Sequence, residues 1–373
     1  MTGERPKVLG YLGPNWFASV MGTGIVATAG ASLPVHVPGL RGFASAVWAV
    51  SALWLVVLVV AMIAHWVRNP TVARSHVRNP QMAHFYGAAP MALLTVAAGA
   101  LLVGRDLIGT RIAVDLAWGL WVAGTAGGLF TAMSIPHLMF TQYRVEPDAA
   151  FGGWLMPVVP PMVSAATGAM LIPHMGEGAG RETMFYGCLA MFGLSLVASL
   201  IIITMVWSRL AHYGTSGSAR VPTLWIVLGP LGQSITVTGL LAADAPLAVD
   251  RQIADGMAVF AVLYGVPVWG FAVLWIALAT SLTVRTLRRG MPFALTWWSL
   301  TFPVGTFVTG TTQLALHTGL PVFRVAAAIA YVGLLITWLL VAVRTFGGGL
   351  RGALFAPPPA DPIRAYKDPP REP

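Results

Sequence analysis

Apolar positions along this 373-residue chain come in blocks, not at the three-to-four spacing of an amphipathic helix. Ten stretches are almost wholly apolar: near 13–31, 43–64, 85–104, 112–134, 152–173, 184–208, 222–243, 256–281, 293–315 and 325–343. Together they hold one formally charged side chain, Asp115. A helix needs about 20 apolar residues to cross the hydrocarbon core of a bilayer, so each block is long enough to span one. The pattern predicts an all-α integral membrane protein of ten transmembrane helices.

Proline divides the blocks into two sets. The odd ones carry Pro14, Pro90, Pro157, Pro160, Pro161, Pro173, Pro222, Pro230 and Pro303, whereas among the even ones only the eighth has an internal proline, Pro267. Proline removes a backbone donor and bends a helix, and the polar groups so freed survive at membrane depth only inside protein or beside water. Polar side chains follow the same division. The first block has Asn15, Ser19, Thr23 and Thr28, the seventh Gln233, Ser234, Thr236 and Thr238, the ninth Thr301, Thr306, Thr309, Thr311, Thr312 and Gln313. Even blocks include runs such as 52–63 with no polar side chain. The expected arrangement is five helical hairpins, with kinked odd helices lining a central pore and even helices outside. Candidate kink and lining residues are Pro14, Pro90, Pro160, Pro230, Pro303, Gln233, Ser234 and Thr309. Any single threonine is equally at home as a hydrogen-bonding link between helices.

Charge adds orientation. Of the 22 Lys and Arg, 16 fall in segments on one side of the predicted membrane and 6 on the other. The positive-inside rule then places both termini in the cytoplasm and the chain in the cell membrane as a multi-pass protein. The formal net charge of +9 is therefore an orientation signal, and no nucleic-acid partner is expected. Composition agrees: 57% hydrophobic, 9% charged and a mean hydropathy of +0.75, against roughly 25% charged residues in soluble domains. The chain divides into a short N-terminus (1–12), a membrane domain (13–346) and a tail (347–373). Seven prolines between 357 and 373 predict that the tail is disordered. Cys188 is the only cysteine, which excludes an internal disulfide or a thiolate cluster. No nucleophile, carboxylate pair or ligand cluster gathers at one depth, so neither an enzyme, a metal site nor a cofactor is expected.

Four motifs carry a resemblance: Gly13-Pro14-Asn15-Trp16-Phe17-Ala18-Ser19, Trp154-Leu155-Met156-Pro157-Val158-Val159-Pro160-Pro161, Gly229-Pro230-Leu231-Gly232-Gln233-Ser234 and Trp297-Trp298-Ser299-Leu300-Thr301-Phe302-Pro303. In this order the chain resembles the tellurite-resistance/dicarboxylate transporter family over roughly residues 10–346. That family includes the bacterial TehA protein, fungal malate permeases and sulfite efflux pumps, and the plant slow anion channel. The resemblance implies five hairpins around a pore, a homotrimer with one pore per protomer, and a phenylalanine on the ninth span that plugs the pore. Phe302 is the matching position, with Phe307 as the alternative. It also implies a small anion as cargo: a C4-dicarboxylate such as malate, sulfite, tellurite, or an inorganic anion such as chloride or nitrate. A proton-coupled dicarboxylate symporter or a sulfite/tellurite efflux carrier is the alternative to a channel.

The residues themselves bear on that choice. Cation paths commonly use Asp or Glu rings, and the odd blocks have none. What remains is a weakly polar path where helix N-termini at the kinks present positive dipole ends to an anion. Arg285, Arg288 and Arg289 stand at the inner mouth. Asp115 and His137 are the titratable candidates for a proton relay, but about 33 Å of helix separates them, so both are expected at the interfaces.

Overall fold

A computed structural model describes residues 10–215 and 217–355. Among these residues the protein is all helical. Each apolar block folds as a helix: α1 Phe17–Ser32, α2 Leu40–Arg68, α5 Ala88–Gly99, α7 Thr110–Thr141, α8 Pro160–Leu171, α9 Ala179–Tyr213, α10 Leu228–Ala248, α11 Arg251–Arg288, α12 Phe302–Thr318 and α13 Pro321–Leu350. Short helices complete the chain. The basic segment between α2 and α5 folds as α3 Pro70–Arg78 and α4 Pro80–His84, and α6 Arg105–Ile108 follows a π-helical stretch, Ala100–Gly104, that continues α5. Seven helical segments are long and apolar enough to cross a membrane. α1, α8 and α12, of 16, 12 and 17 residues, are shorter.

Proline explains the shortness. α1, α5, α8, α10 and α12 are each preceded by a 3-10 segment: Pro14–Trp16, Phe85–Gly87, Gly152–Leu155, Val221–Val227 and Leu295–Leu300. Pro160 and Pro303 sit in the first two positions of their α-helices, and Pro90 and Pro230 in the third. A proline in the first turn gives up no intrahelical bond, so it marks where the helix restarts instead of breaking it midway. In the same way, Pro70 and Pro80 open α3 and α4, each after an asparagine. Asn79 caps α4, its Oδ1 accepting from the N–H groups of Gln81 (2.9 Å) and Met82 (3.2 Å).

The five helices with 3-10 starts pack in cyclic order, α1 on α5, α5 on α8, α8 on α10, α10 on α12 and α12 on α1. They run parallel. Gly232 of α10 lies so close to Thr306 and Phe307 of α12 that no Cβ fits there, and Thr236 meets Thr309 one turn on. Each is followed by a long helix that returns along its outside: α2, α7, α9, α11 and α13. The turns at the far ends are tight. Gly39, Gly109, Gly178 and Gly319 adopt positive φ there, and at the fifth turn Asp250 accepts the Ile253 N–H at 3.0 Å.

Burial separates the two sets. The apolar windows through α5 and α10 are 78% and 89% buried, and those of α2, α7, α9, α11 and α13 only 22–28%. Residues such as Leu53, Val56 and Val60 on α2 and Ile329 and Ile336 on α13 are fully apolar and exposed, which suits lipid and not water. Indole N–H groups tie the outer helices to the inner ones. Trp54 donates to Ser19 Oγ (2.8 Å), Trp121 to the Ser164 carbonyl (3.0 Å), Trp269 to Thr311 Oγ1 (3.0 Å) and Trp338 to Thr23 Oγ1 (3.2 Å). α9 uses Ser195 instead. The prolines at 160 and 161 cannot donate, and Ser195 Oγ fills the gap, accepting from the Met162 N–H (3.1 Å) and donating to the Val158 carbonyl.

α13 runs four residues past the sequence boundary at 346, and Phe355 beyond it stacks on Trp16 at 5.0 Å. The expected disordered tail lies otherwise outside the described residues, as does most of the 1–12 segment.

Candidate functional site

The ring of inner helices encloses two chambers on its axis. The lower one, at the level of the 3-10 starts, is about 30 Å³ and walled by Met21, Phe85, Met91, Met156, Leu295 and Trp298. That is about the volume of one water in the liquid, and its walls offer water few partners. The upper chamber is about 140 Å³ and has a different lining. Thr28 and Ser32 come from α1, Thr95 from α5, Thr167 from α8, Gln233 and Thr236 from α10, and Thr309 and Gln313 from α12. Every inner helix, taken with the segment that leads into it, contributes to both chambers.

Phe302 borders both. It is the first residue of α12, followed by Pro303, and only 5% exposed. The chain reaches it through Thr301 at φ −109°, ψ −72°, at the edge of helical space, where the 3-10 segment gives way to α12.

The other anticipated residues fall into two groups. Pro230 and Pro303 border the lower chamber, Gln233 and Thr309 the upper. Pro90 and Pro160 instead face outward to α7, where a Cβ on Gly127 would lie 3.5 Å from Pro90 and one on Gly128 would lie 2.9 Å from Pro160. Pro14 is buried at the start of its 3-10 segment and borders neither chamber. Ser234 turns away from the axis, and its hydroxyl donates to the Leu231 carbonyl at 2.8 Å. Phe307 also faces outward, its ring 6.1 Å from that of Trp269 and nearly parallel to it. Asp115 and His137 are exposed on α7. Thr95 and Thr167 escaped the sequence reading. Their one signal there was a hydroxyl inside an odd apolar block, with Ser164 beside it in the case of Thr167.

No charged side chain borders either chamber. The fixed electrostatics come from the backbone: the α-helical parts of α8, α10 and α12 begin at Pro160, Leu228 and Phe302, beside the lower chamber, so their positive ends gather at the narrow level. An anion there meets partial positive charge and no countercharge to bind it tightly. A cation meets the reverse.

A family model described as the voltage-dependent anion channel, SLAC1, matches residues 11–346. An uncharacterized transporter of Methanocaldococcus jannaschii is 26% identical over 330 residues, 88% of each chain. Sulfite efflux pumps of Trichophyton rubrum and Arthroderma benhamiae are each 25% identical over 340 residues, again 88% of each chain. The match takes in all five inner helices, both chambers and Phe302 between them, and the chain therefore belongs to the SLAC1 family of voltage-dependent anion channels.

Proposed function

We propose that the protein carries small anions across a cell membrane along the axis of the inner ring, with Phe302 as the closure between the two chambers. As a member of this family it is a membrane transport protein and not an enzyme. The observation that carries the pathway is that one side chain, Phe302, walls both axial chambers. A bulky neutral ring in an apolar neck excludes water and so stops ions without binding them.

In this reading all ten helices span. With their 3-10 segments, α1, α8 and α12 extend over 14–32, 152–174 and 295–318, lengths adequate for a bilayer when the polar starts are buried in protein. The lower face, where most of the basic residues lie, is cytoplasmic. Pores of this kind assemble as three copies, one path in each. Sulfite is the cargo to try first, because two of the relatives are named sulfite efflux pumps.

Purified protein in potassium-loaded liposomes decides the matter. Flux of sulfite, malate, tellurite, chloride and nitrate is measured under an imposed potential, with potassium permeability as the control. Anion flux above that of empty vesicles is expected for at least one of these. Potassium leakage with no anion flux overturns the reading.

A further inference from the structure

We infer that the side-chain amides of Gln233 and Gln313 are the groups that hold an anion in the upper chamber, as two successive stations along the path. This rests on the anion-transport reading above and adds to it the donor set.

The argument is an inventory of hydrogens. An anion needs donors, and eight polar side chains border the upper chamber. Six are hydroxyls, and each has a backbone carbonyl of its own helix within reach. Thr28 donates to Ile25 (3.3 Å), Ser32 to Ala29 (3.1 Å), Thr95 to Met91 (2.7 Å), Thr167 to Val163 (3.1 Å), Thr236 to Gly232 (3.0 Å) and Thr309 to Thr306 (3.1 Å). A hydroxyl has one hydrogen. With that hydrogen on a carbonyl, what each presents to the chamber is lone pairs, which repel an anion. Thr236 and Thr309 lie 2.7 Å apart, so one donates to the other and the other to its own carbonyl, and both hydrogens are likewise spent.

The two glutamines differ. Each carries two N–H donors. Gln233 is 5% exposed and Gln313 8%, yet among the described residues neither amide has a hydrogen-bond partner. A buried amide without a partner is costly, and native structures keep such groups where a ligand or water meets them. His317, one turn beyond Gln313, is already engaged with the Gly239 carbonyl at 2.9 Å and does not border the chamber.

Their heights follow from the packing. Gly239 of α10 gives Gln313 its room: a Cβ there would lie 2.5 Å from Gln313 Cβ and 2.7 Å from Oε1. Gln313 is therefore level with position 239, six residues above Gln233, or about 9 Å along the axis. Gln233 stands just above the Phe302 level, since Pro230, one turn below it, borders the lower chamber. Neutral donors at two heights bind an anion weakly and in sequence, which conduction requires. Because the donors are uncharged amides and not guanidinium groups, the fitting ligand is a small, singly charged anion, not a polyanion.

The test uses full-length protein in liposomes and the best-carried anion of the wild type. Gln233→Leu and Gln313→Leu remove the donors and nearly preserve volume; each is expected to raise the half-saturating anion concentration about tenfold, the usual scale for one lost hydrogen bond to a charge. Gln233→Glu, of the same shape with a carboxylate in place of the amide, should abolish anion flux. Thr204→Val, which deletes an exposed hydroxyl on α9 outside both chambers, should leave the half-saturating concentration unchanged. All four are compared at matched folded protein by size-exclusion profile. A second measurement needs no variant: crystals of the wild type soaked in bromide should give anomalous peaks within hydrogen-bond distance of Gln233 and Gln313 Nε2. Wild-type transport with unchanged half-saturation in both Leu variants, or bromide peaks in the chamber away from both amides, overturns the assignment and leaves the transport reading standing. A wild type that carries no anion overturns the transport reading itself.

Discussion

Phe302 and Phe307 stand a turn and a half apart on α12 and face opposite ways. The first is turned to the axis between the chambers and the second to Trp269 on α11. Identical truncations should therefore give opposite results. Phe302→Ala opens space between two chambers, so basal anion flux in liposomes should rise. Phe307→Ala removes a ring packed against Trp269 and should cost about 3–5 kcal/mol of stability with no gain in flux. A normally folded Phe302→Ala protein that conducts no more than wild type would remove the closure role. The motif Trp-Trp-Ser-Leu-Thr-Phe-Pro brings either phenylalanine into view, but which one faces the axis depends on where α12 restarts. That restart falls where the 3-10 segment Leu295–Leu300 gives way to the α-helix at Phe302, a tertiary fact that the residue order does not contain.

At the scale of helices, the odd–even alternation in proline and polarity was legible in the sequence and matches the burial of the helices. Less legible was what the prolines do. They were read as kinks lining a path, yet Pro90 and Pro160 press outward on α7, and their common role is to restart an α-helix after a 3-10 turn. The chain turns at Asn69-Pro70 and Asn79-Pro80, and each of those turns opens a short helix. The links between inner and outer helices were not legible at all, because a tryptophan or serine in an apolar block looks the same whether or not its partner lies across the interface. Ser195 is the sharpest instance. It donates to the Val158 carbonyl and accepts from the Met162 N–H, which also reaches the Val159 carbonyl at 2.9 Å, so Ser195→Ala takes the hydroxyl partner from a buried carbonyl. Thermal unfolding in detergent should show a loss of about 1–3 kcal/mol, whereas Ser208→Ala, on the exposed end of the same helix, should change little. Equal stability of the two variants would show that Met162 is served well enough by its bond to Val159.

For the molecule as a whole, basic residues were expected to report orientation. Among the described residues Arg68, Arg74, Arg78, Arg144, Arg285 and Arg288 lie toward the end where Phe355 meets Trp16, and Arg111, Arg251 and Arg324 toward the other. Reporter fusions after Thr215 and Ala360 should both read as cytoplasmic. A periplasmic signal at either position would reverse or break the proposed topology.

The restart of α12 at Phe302 has a consequence for the way a closure there would work. Inside a helix, a side chain with χ1 near +60° runs into the preceding turn, and a phenylalanine is held to two rotamers. Phe302 is the first residue of its α-helix, at the junction with the 3-10 segment, so the turn behind it is a 3-10 turn and not a regular α-helical one. The inner ring is meanwhile locked by backbone approaches such as Gly232 against Thr306, which leave no slack for the helices to spread. In the reading proposed above, a plug in a frame that resists dilation would open by rotation of one ring. Its rate is then set by a torsional barrier in a crowded neck and not by the slower collective motion of helices.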